Sequence, residues 1–140
     1  MAYKLLIVDD EKEIRDSLAI RYKLKGFETL KAENGKEALR ILSEEKINIV
    51  LSDIIMPVMD GVKLIREIRN EYPMVKVIMM TGYVTLENAL ACYRYGAHDV
   101  IFKPLADLKE LDNSILEIKD FLLRWQNKLS TLVNMKPKSE

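Results

Sequence analysis

The chain has 140 residues, and its 22 Lys and Arg balance 22 Asp and Glu, so the formal net charge is zero. Hydrophobic residues make up 49% of the chain and charged residues 31%, which fits one folded domain and excludes intrinsic disorder. The zero charge argues against nonspecific binding to nucleic acid or to a membrane surface, because both need an excess of Lys and Arg. One Cys and one His give neither a disulfide pair nor a Cys/His zinc set.

The N-terminal apolar run LLIV at 5–8 is too short for a signal peptide. No stretch of about 18 apolar residues occurs anywhere in the chain, so a transmembrane helix is not expected. The sequence therefore predicts a cytoplasmic protein without a membrane segment.

Short apolar runs recur along the chain and end at polar residues. Runs without polar alternation are typical of strands buried on both faces, as in parallel sheets. The predicted strands are 4–8, 28–32 (the weakest), 48–52, 75–80 and 99–102.

Helical periodicity fills the segments between these runs. The predicted helices are 11–25, 35–45, 61–72, 85–95 with Thr85 as N-cap, and 106 to about 135. Strands that alternate with helices through short turns specify right-handed crossovers and a parallel sheet covered on both faces. The sequence therefore predicts a doubly wound (βα)5 sandwich of the α/β class.

Polar side chains follow the apolar part of these strands, at Asp9, Asp10, Asp53, Thr81 and Lys103. Parallel strands place their carboxyl ends on one edge, where open α/β sheets bind ligands. Converging carboxylates repel each other unless a cation lies among them, and Mg²⁺ prefers such hard oxygen ligands. The lysine and the threonine hydroxyl could hold phosphoryl oxygens, and one carboxylate could act as a nucleophile. Asp53 is the best candidate, since it follows the most apolar central strand.

Motifs in the same places are similar to those of a known family. They are IVDDE at 7–11, LSDIIMPVMDG at 51–61, MTGY at 80–83 and FKP at 102–104. With their spacing, they resemble the receiver domain of two-component response regulators over residues 3 to about 122. The resemblance implies a flavodoxin-like fold with a five-stranded parallel sheet in the order 2-1-3-4-5. It also implies a cis Lys103-Pro104 peptide bond.

The resemblance further implies a role for each candidate residue. Asp53 would accept a phosphoryl group from a phosphohistidine of a sensor histidine kinase or a phosphotransfer protein, and Thr81 and Lys103 would bind that group. The implied Mg²⁺ ligands are Asp9 through a water molecule, Asp10, Asp53 and the backbone carbonyl of Ile55. The chain would be a switch that catalyses its own phosphorylation and dephosphorylation, not an enzyme with a separate substrate.

The sequence departs from the family pattern at Val100, where receivers usually carry Tyr or Phe three residues before the lysine. In the family, that aromatic side chain changes rotamer as the threonine moves toward the phosphoryl group. A switch of this usual kind is therefore not expected here. Tyr83 or Phe102 could take part in the conformational switch in another way.

Two other functions are consistent with the same side chains. A phosphohydrolase of the haloacid-dehalogenase type uses Asp, Thr, Lys and Mg²⁺, but it needs an Asp two residues after its nucleophile, where this chain has Ile55. A pseudo-receiver would bind partners without phosphorylation, and the complete acidic set argues against it.

Two of the motifs also have a purely structural interpretation. Asp10 could cap the first helix, with Glu13 completing a capping box. Pro57, Asp60 and Gly61 are typical of a turn in which glycine takes a positive φ.

The last helix is predicted to extend past the receiver body. Apolar residues recur in it at alternating spacings of three and four, typical of a coiled-coil seam. The seam residues are Leu108, Leu111, Ile115, Ile118, Leu122, Trp125, Leu129 and Leu132. The first half can face the sheet, whereas Trp125, Leu129, Leu132 and Val133 should be exposed.

We therefore predict a receiver domain at 1–122, a coiled-coil or linker extension at 123–135 and a loose tail at 136–140. The expected partner of the extension is a second copy, in a parallel or antiparallel homodimer. Docking to an output domain that these 140 residues do not include is the alternative.

Overall fold

The computed structural model describes residues 2–104 and 107–135. Strands and helices alternate along this part of the chain. In chain order they are β1 Lys4–Val8, α1 Lys12–Leu24, β2 Glu28–Ala32, α2 Gly35–Glu44, β3 Ile49–Asp53, α3 Gly61–Glu71, β4 Lys76–Thr81, α4 Leu86–Arg94, β5 Asp99–Phe102 and α5 Lys109–Asn134. This alternation confirms the predicted (βα)5 architecture.

The strands form one sheet in the order β2-β1-β3-β4-β5, and each neighbouring pair is parallel. At its centre, Leu6 of β1 is in register with Leu30 on one side and Val50 on the other. The order confirms the expectation from the resemblance. The Lys103-Pro104 peptide bond is cis, also as expected.

Both faces of the sheet are covered by helices. Leu6 and Val8 of β1 join one core cluster, which contains side chains of α2, α3 and α4. The alternate residues Leu5 and Ile7 join the other cluster, with side chains of α1 and α5. Because every central strand is buried on both faces, its sequence shows no polar alternation.

The N-cap predicted for α4 is found in the structure, whereas the one considered for α1 is not. Thr85 accepts a hydrogen bond from the Asn88 amide, which confirms it as the N-cap of α4. At α1 the N-cap is Glu11, and its side chain makes no capping bond. The capping role considered for Asp10 and Glu13 is therefore wrong, because the chain enters the helix one residue later than that pattern requires.

The turn between β3 and α3 also differs from the prediction. Val58, with φ of 71°, takes the left-handed conformation, and Gly61 does not. Gly61 is needed for another reason, because a Cβ atom there would lie 2.3 Å from the Asp53 carbonyl oxygen. The glycine therefore allows α3 to start against the end of β3.

Helix α5 has 26 residues, a length of about 39 Å at 1.5 Å per residue. It buries Leu111, Ser114, Ile115 and Ile118 against the sheet, and its last turns are exposed. Ala106, the predicted first residue of this helix, and the predicted tail at 136–140 lie outside the described residues. Residues 107 and 108, also predicted to be helical, precede the helix, which starts at Lys109. Within residues 2–104 and 107–135, no helix is both long and apolar enough to cross a membrane.

Candidate functional site

The carboxyl edge of the sheet brings the predicted polar residues together. Asp53 and Thr81 are the last residues of β3 and β4, each strand being one residue longer at this end than predicted. Asp9 follows β1 directly, and Lys103 follows β5. These four strands are consecutive in the sheet, so their ends form one continuous site.

Three carboxylates form a cluster at this edge. Oxygen atoms of Asp9, Asp10 and Asp53 all lie within 4.8 Å of one another. Asp9 and Asp53 are buried, with 0% and 5% of their surface exposed, whereas Asp10 is exposed. The cluster therefore opens to solvent on the side of Asp10.

Lys103 supplies the positive charge nearest to the two buried carboxylates. Its Nζ atom donates hydrogen bonds of 2.9 Å to Oδ2 of Asp9 and of 2.9 Å to Oδ2 of Asp53. The carboxylate of Glu11 lies 3.8 Å from the same nitrogen. One ammonium group therefore faces several carboxylates and cannot neutralise them all.

Burial is the largest influence on both members of this pair. It raises the pKa of Asp53, and the nearby charge of Asp9 adds to this, while the bond to Lys103 opposes it. Burial alone would lower the pKa of Lys103, but its bonds to Asp9 and Asp53 together outweigh burial and raise that pKa. The charged form of Lys103 is thus favoured. For Asp53, the positive charge of Lys103 does not outweigh the effect of burial on its pKa.

The second oxygen of Asp53 is bound by the backbone. The amide of Ile55 donates to Asp53 Oδ1 at 3.2 Å, so both carboxylate oxygens have donors. The Ile55 side chain is half exposed at the rim of the site. The loop after β3 therefore orients the carboxylate and leaves one approach to it open.

Thr81 lies at the same edge, but its hydroxyl is bound to the next loop. It donates to the Tyr83 carbonyl oxygen at 2.6 Å and accepts from the Tyr83 amide at 3.2 Å. The Thr81 side chain is buried, with 1% of its surface exposed. The hydroxyl predicted to bind the phosphoryl group thus lies at the expected edge of the sheet, but its proton is donated to the Tyr83 carbonyl oxygen.

One residue of the site was not identified from the sequence. Glu11 faces Lys103, and it directly follows the predicted acidic pair, which was the available signal. Gly61 was identified as a turn residue, but the sequence did not show that it lies against the backbone of Asp53. A close backbone approach of this kind depends on the tertiary structure.

The donor set fits Mg²⁺. Carboxylate oxygens are hard ligands, and Mg²⁺ is commonly held by one or two carboxylates together with water and phosphate oxygens. The exposed Asp10 leaves an open side for such ligands. The raised pKa of Asp53 indicates that a further cation would stabilise its charged form.

Comparisons with known proteins agree with the resemblance seen in the motifs. A family model described as the response regulator receiver domain matches residues 5–116. The regulatory protein AtoC of Escherichia coli is 43% identical over 109 residues, 78% of this chain and 23% of AtoC. The response regulator protein FleR of Pseudomonas aeruginosa is 37% identical over 80% of this chain and 24% of its own length. The chain thus spans less than a quarter of the length of these relatives.

Solved structures show the same architecture. A receiver domain protein from Methanospirillum hungatei has a TM-score of 0.73 and 31% identity, covering 94% of this chain and 96% of that one. The response regulator protein TrrA from Thermotoga maritima, in complex with Mg²⁺ and BeF, has a TM-score of 0.74 and 30% identity, over 83% of this chain and 98% of that one. The likeness therefore extends over nearly the whole of both neighbours.

Proposed function

This chain belongs to the response regulator receiver domain family, and from that membership we propose that Asp53 accepts a phosphoryl group from a phosphohistidine. The observation that carries the proposal is the setting of its carboxylate. It lies 2.9 Å from Lys103 Nζ and within 4.8 Å of oxygens of Asp9 and Asp10. A buried carboxylate with an open approach and an adjoining ammonium group is suited to nucleophilic attack on phosphorus.

In the proposed step, an Asp53 carboxylate oxygen forms a bond to phosphorus while the bond from phosphorus to the histidine nitrogen breaks. The imidazole leaves with that electron pair. Lys103, held charged between Asp9 and Asp53, attracts the phosphoryl oxygens, and the Ile55 amide fixes the carboxylate.

The expected ligands for Mg²⁺ remain a proposal. They are Asp9 through a water molecule, Asp10, Asp53 and the Ile55 carbonyl oxygen. When bound, the ion supplies positive charge to the carboxylates and to the phosphoryl oxygens. The Thr81 hydroxyl would donate to a phosphoryl oxygen after it releases the Tyr83 carbonyl.

The proposed donor is a sensor histidine kinase or a phosphotransfer protein, and the chain would catalyse its own phosphorylation and dephosphorylation. We place the receiver at 1–122 and the extension at 123–135. The extension would form a homodimer. The alternative is that it contacts an output domain, since the relatives are more than four times as long as the matched part. Phosphorylation at Asp53 would change those contacts.

The acceptor assignment is tested with acetyl phosphate and intact-mass spectrometry. Wild type should gain one phosphoryl group in the presence of Mg²⁺ and none in EDTA, and Asp53→Asn should gain none. Asp120→Asn, an exposed change on α5, is the matched control and should behave as wild type. Equal modification of Asp53→Asn, or full modification in EDTA, contradicts the assignment.

The dimer is tested by sedimentation at high protein concentration. Wild type should sediment as a dimer, and Trp125→Asp with Leu129→Asp as a monomer. Leu123→Asp, on another face of the same helix, should remain dimeric. A wild type that stays monomeric, with and without a phosphoryl mimic, contradicts the proposal.

A further inference from the structure

Glu11 lies beside the candidate site but takes no part in the proposed metal and phosphoryl contacts. Its amide donates to Asp9 Oδ1 at 2.8 Å, which fixes its backbone against the site. Although Glu11 is the N-cap of α1, its side chain makes no capping bond. The carboxylate instead lies 3.8 Å from Lys103 Nζ, and 62% of the side chain is exposed. Glu11 therefore presents a negative charge to solvent next to the lysine.

Lys103 keeps one N–H donor for a phosphoryl oxygen. An ammonium group has three N–H donors. Within residues 2–104 and 107–135, Lys103 Nζ donates to Asp9 and Asp53 only. At 3.8 Å, Glu11 is an ion-pair neighbour of this nitrogen and not a hydrogen-bond acceptor. A phosphoryl oxygen bound to the third N–H would therefore lie within about 7 Å of the Glu11 carboxylate.

The open space beside Lys103 is also bounded by Glu11. A groove of about 750 Å³ begins there, and its lining includes Glu11, Glu13, Gly82 and Lys103. Asp9 and Asp53 are buried on the other side of the lysine, so the part of a donor that is not transferred has to lie toward solvent. This groove offers the space for it. The leaving group would thus depart close to the charge of Glu11.

We infer that Glu11 determines which class of phosphoryl donor the site prefers. It favours donors in which phosphorus is bonded to nitrogen, such as phosphohistidine and phosphoramidate. It disfavours acyl phosphates such as acetyl phosphate. This inference rests on the proposed acceptor role of Asp53, and it makes Glu11 a specificity-determining residue for that reaction.

The two classes of donor differ in the charge of the leaving group. With acetyl phosphate, an Asp53 oxygen bonds to phosphorus, the bond from phosphorus to the acyl oxygen breaks, and acetate leaves with the electron pair and a negative charge. With phosphoramidate, the bond from phosphorus to nitrogen breaks. The nitrogen is already fully protonated, so it leaves with the electron pair as neutral ammonia. A phosphohistidine protonated at its other ring nitrogen likewise loses a neutral imidazole.

A carboxylate near the leaving group affects these reactions differently. Glu11 repels the negative charge that develops on acetate, whereas the N–H groups of a nitrogen leaving group can donate to it. Even at the dielectric constant of water, a unit charge about 7 Å away is worth about threefold in rate. The Glu11 charge should therefore produce a measurable preference.

The test compares phosphorylation rates with acetyl phosphate and with phosphoramidate, followed by intact mass at saturating Mg²⁺. Glu11→Gln removes the charge and keeps the size of the side chain. The ratio of its phosphoramidate rate to its acetyl phosphate rate should fall by about threefold or more, chiefly because acetyl phosphate reacts faster. Glu11→Asp keeps the charge and should retain most of the preference. Glu28→Gln removes the same charge at the start of β2, on the opposite edge of the sheet, and should keep the wild-type ratio.

The ratio separates a role in donor choice from a structural role. An unchanged ratio in Glu11→Gln, or a loss of both rates by the same factor, overturns the inference, because a role in folding or in Mg²⁺ binding affects both donors alike. Equal modification of Asp53→Asn overturns the acceptor assignment itself, and the inference with it. If the ratio is unchanged while Asp53→Asn stays unmodified, the acceptor assignment stands and only the role of Glu11 is wrong.

Discussion

The hydroxyl of Thr81 donates to the carbonyl oxygen of Tyr83 at 2.6 Å, and the Tyr83 amide donates back to that hydroxyl at 3.2 Å. A threonine has a single O–H donor, so it can donate to a phosphoryl oxygen only after it releases the Tyr83 carbonyl. With Val100 on β5 in place of the family's aromatic residue, the loop after β4 is the element directly coupled to the threonine.

We expect phosphorylation to speed hydrogen exchange at the Tyr83 amide, because the amide loses the Thr81 oxygen that accepts its hydrogen bond. Thr81→Ala should show fast exchange at Tyr83 both before and after phosphorylation. Exchange is measured by NMR or mass spectrometry. Thr85→Ala, which removes the N-cap of α4, is the control and should retain the response at Tyr83. Unchanged exchange in wild type would show that the threonine does not move.

Ile55 should make the phosphorylated protein long-lived. Its side chain stands at the rim of the site, two residues after Asp53, and it has no polar group to orient an attacking water. Ile55→Asn should speed loss of the phosphoryl group by roughly tenfold or more, because a carboxamide can hold that water. Val58→Asn, an exposed change in the same loop, should decay like wild type. The decay is followed by intact mass, and equal rates for Ile55→Asn and wild type would refute this role.

Gly61 should be intolerant of any side chain. A Cβ atom there would lie 2.3 Å from the Asp53 carbonyl oxygen and 2.8 Å from Ile54 Cα, both backbone atoms. Gly61→Ala should therefore lower the free energy of unfolding by about 1–3 kcal/mol and slow phosphorylation of the displaced Asp53. At Gly82 the nearest neighbour of a Cβ atom is Lys103 Cβ at 3.7 Å, so Gly82→Ala should stay within about 0.5 kcal/mol of wild type. Equal unfolding curves for the two variants in urea would contradict the difference.

Asp112 should contribute to the loss of stability in acid. Its hydrogen bonds with the Arg21 guanidinium lower its pKa most, burial opposes this, and the Tyr22 hydroxyl lowers it further. A carboxyl whose pKa is lowered by folding stabilises the protein above its unfolded pKa, and this stability is lost as the pH falls through the folded value. Asp112→Asn should therefore be less stable than wild type at neutral pH, and the difference should shrink as the pH falls through the lowered pKa of Asp112. Asp120→Asn on the same helix is the control in urea unfolding, and a difference that does not change with pH would exclude this role for Asp112.

The sequence could predict the sheet and the place of the site because both follow from local patterns. Apolar runs such as 49–51, which Ser52 and Asp53 follow, identify strands buried on both faces. Once the strands are parallel, their carboxyl ends lie on one edge, which places Asp9, Asp53 and Lys103 there. The strand order, which sets how near they lie to each other, came from the resemblance to the family.

Features that depend on tertiary contacts could not be predicted in this way. The left-handed conformation falls on Val58, a β-branched residue that strongly disfavours it, and not on the nearby Gly61. The start of α1 shifts because the Glu11 amide donates to the side chain of Asp9, so Asp10 does not cap the helix. The bond between Thr81 and Tyr83 depends on the path of a loop that no periodic pattern describes.

Helix α5 extends from the carboxyl edge of the sheet past its amino edge. It begins six residues after Lys103, close to the acidic edge, and runs past the opposite edge to Asn134. Over its length of about 39 Å, a tilt of about 5° at the root would swing the tip through an arc of about 3 Å. A tilt of that size would displace Trp125 and Leu132 far more than it displaces the start of the helix. Any change that tilts α5 where it begins would thus be felt mainly at its exposed last turns.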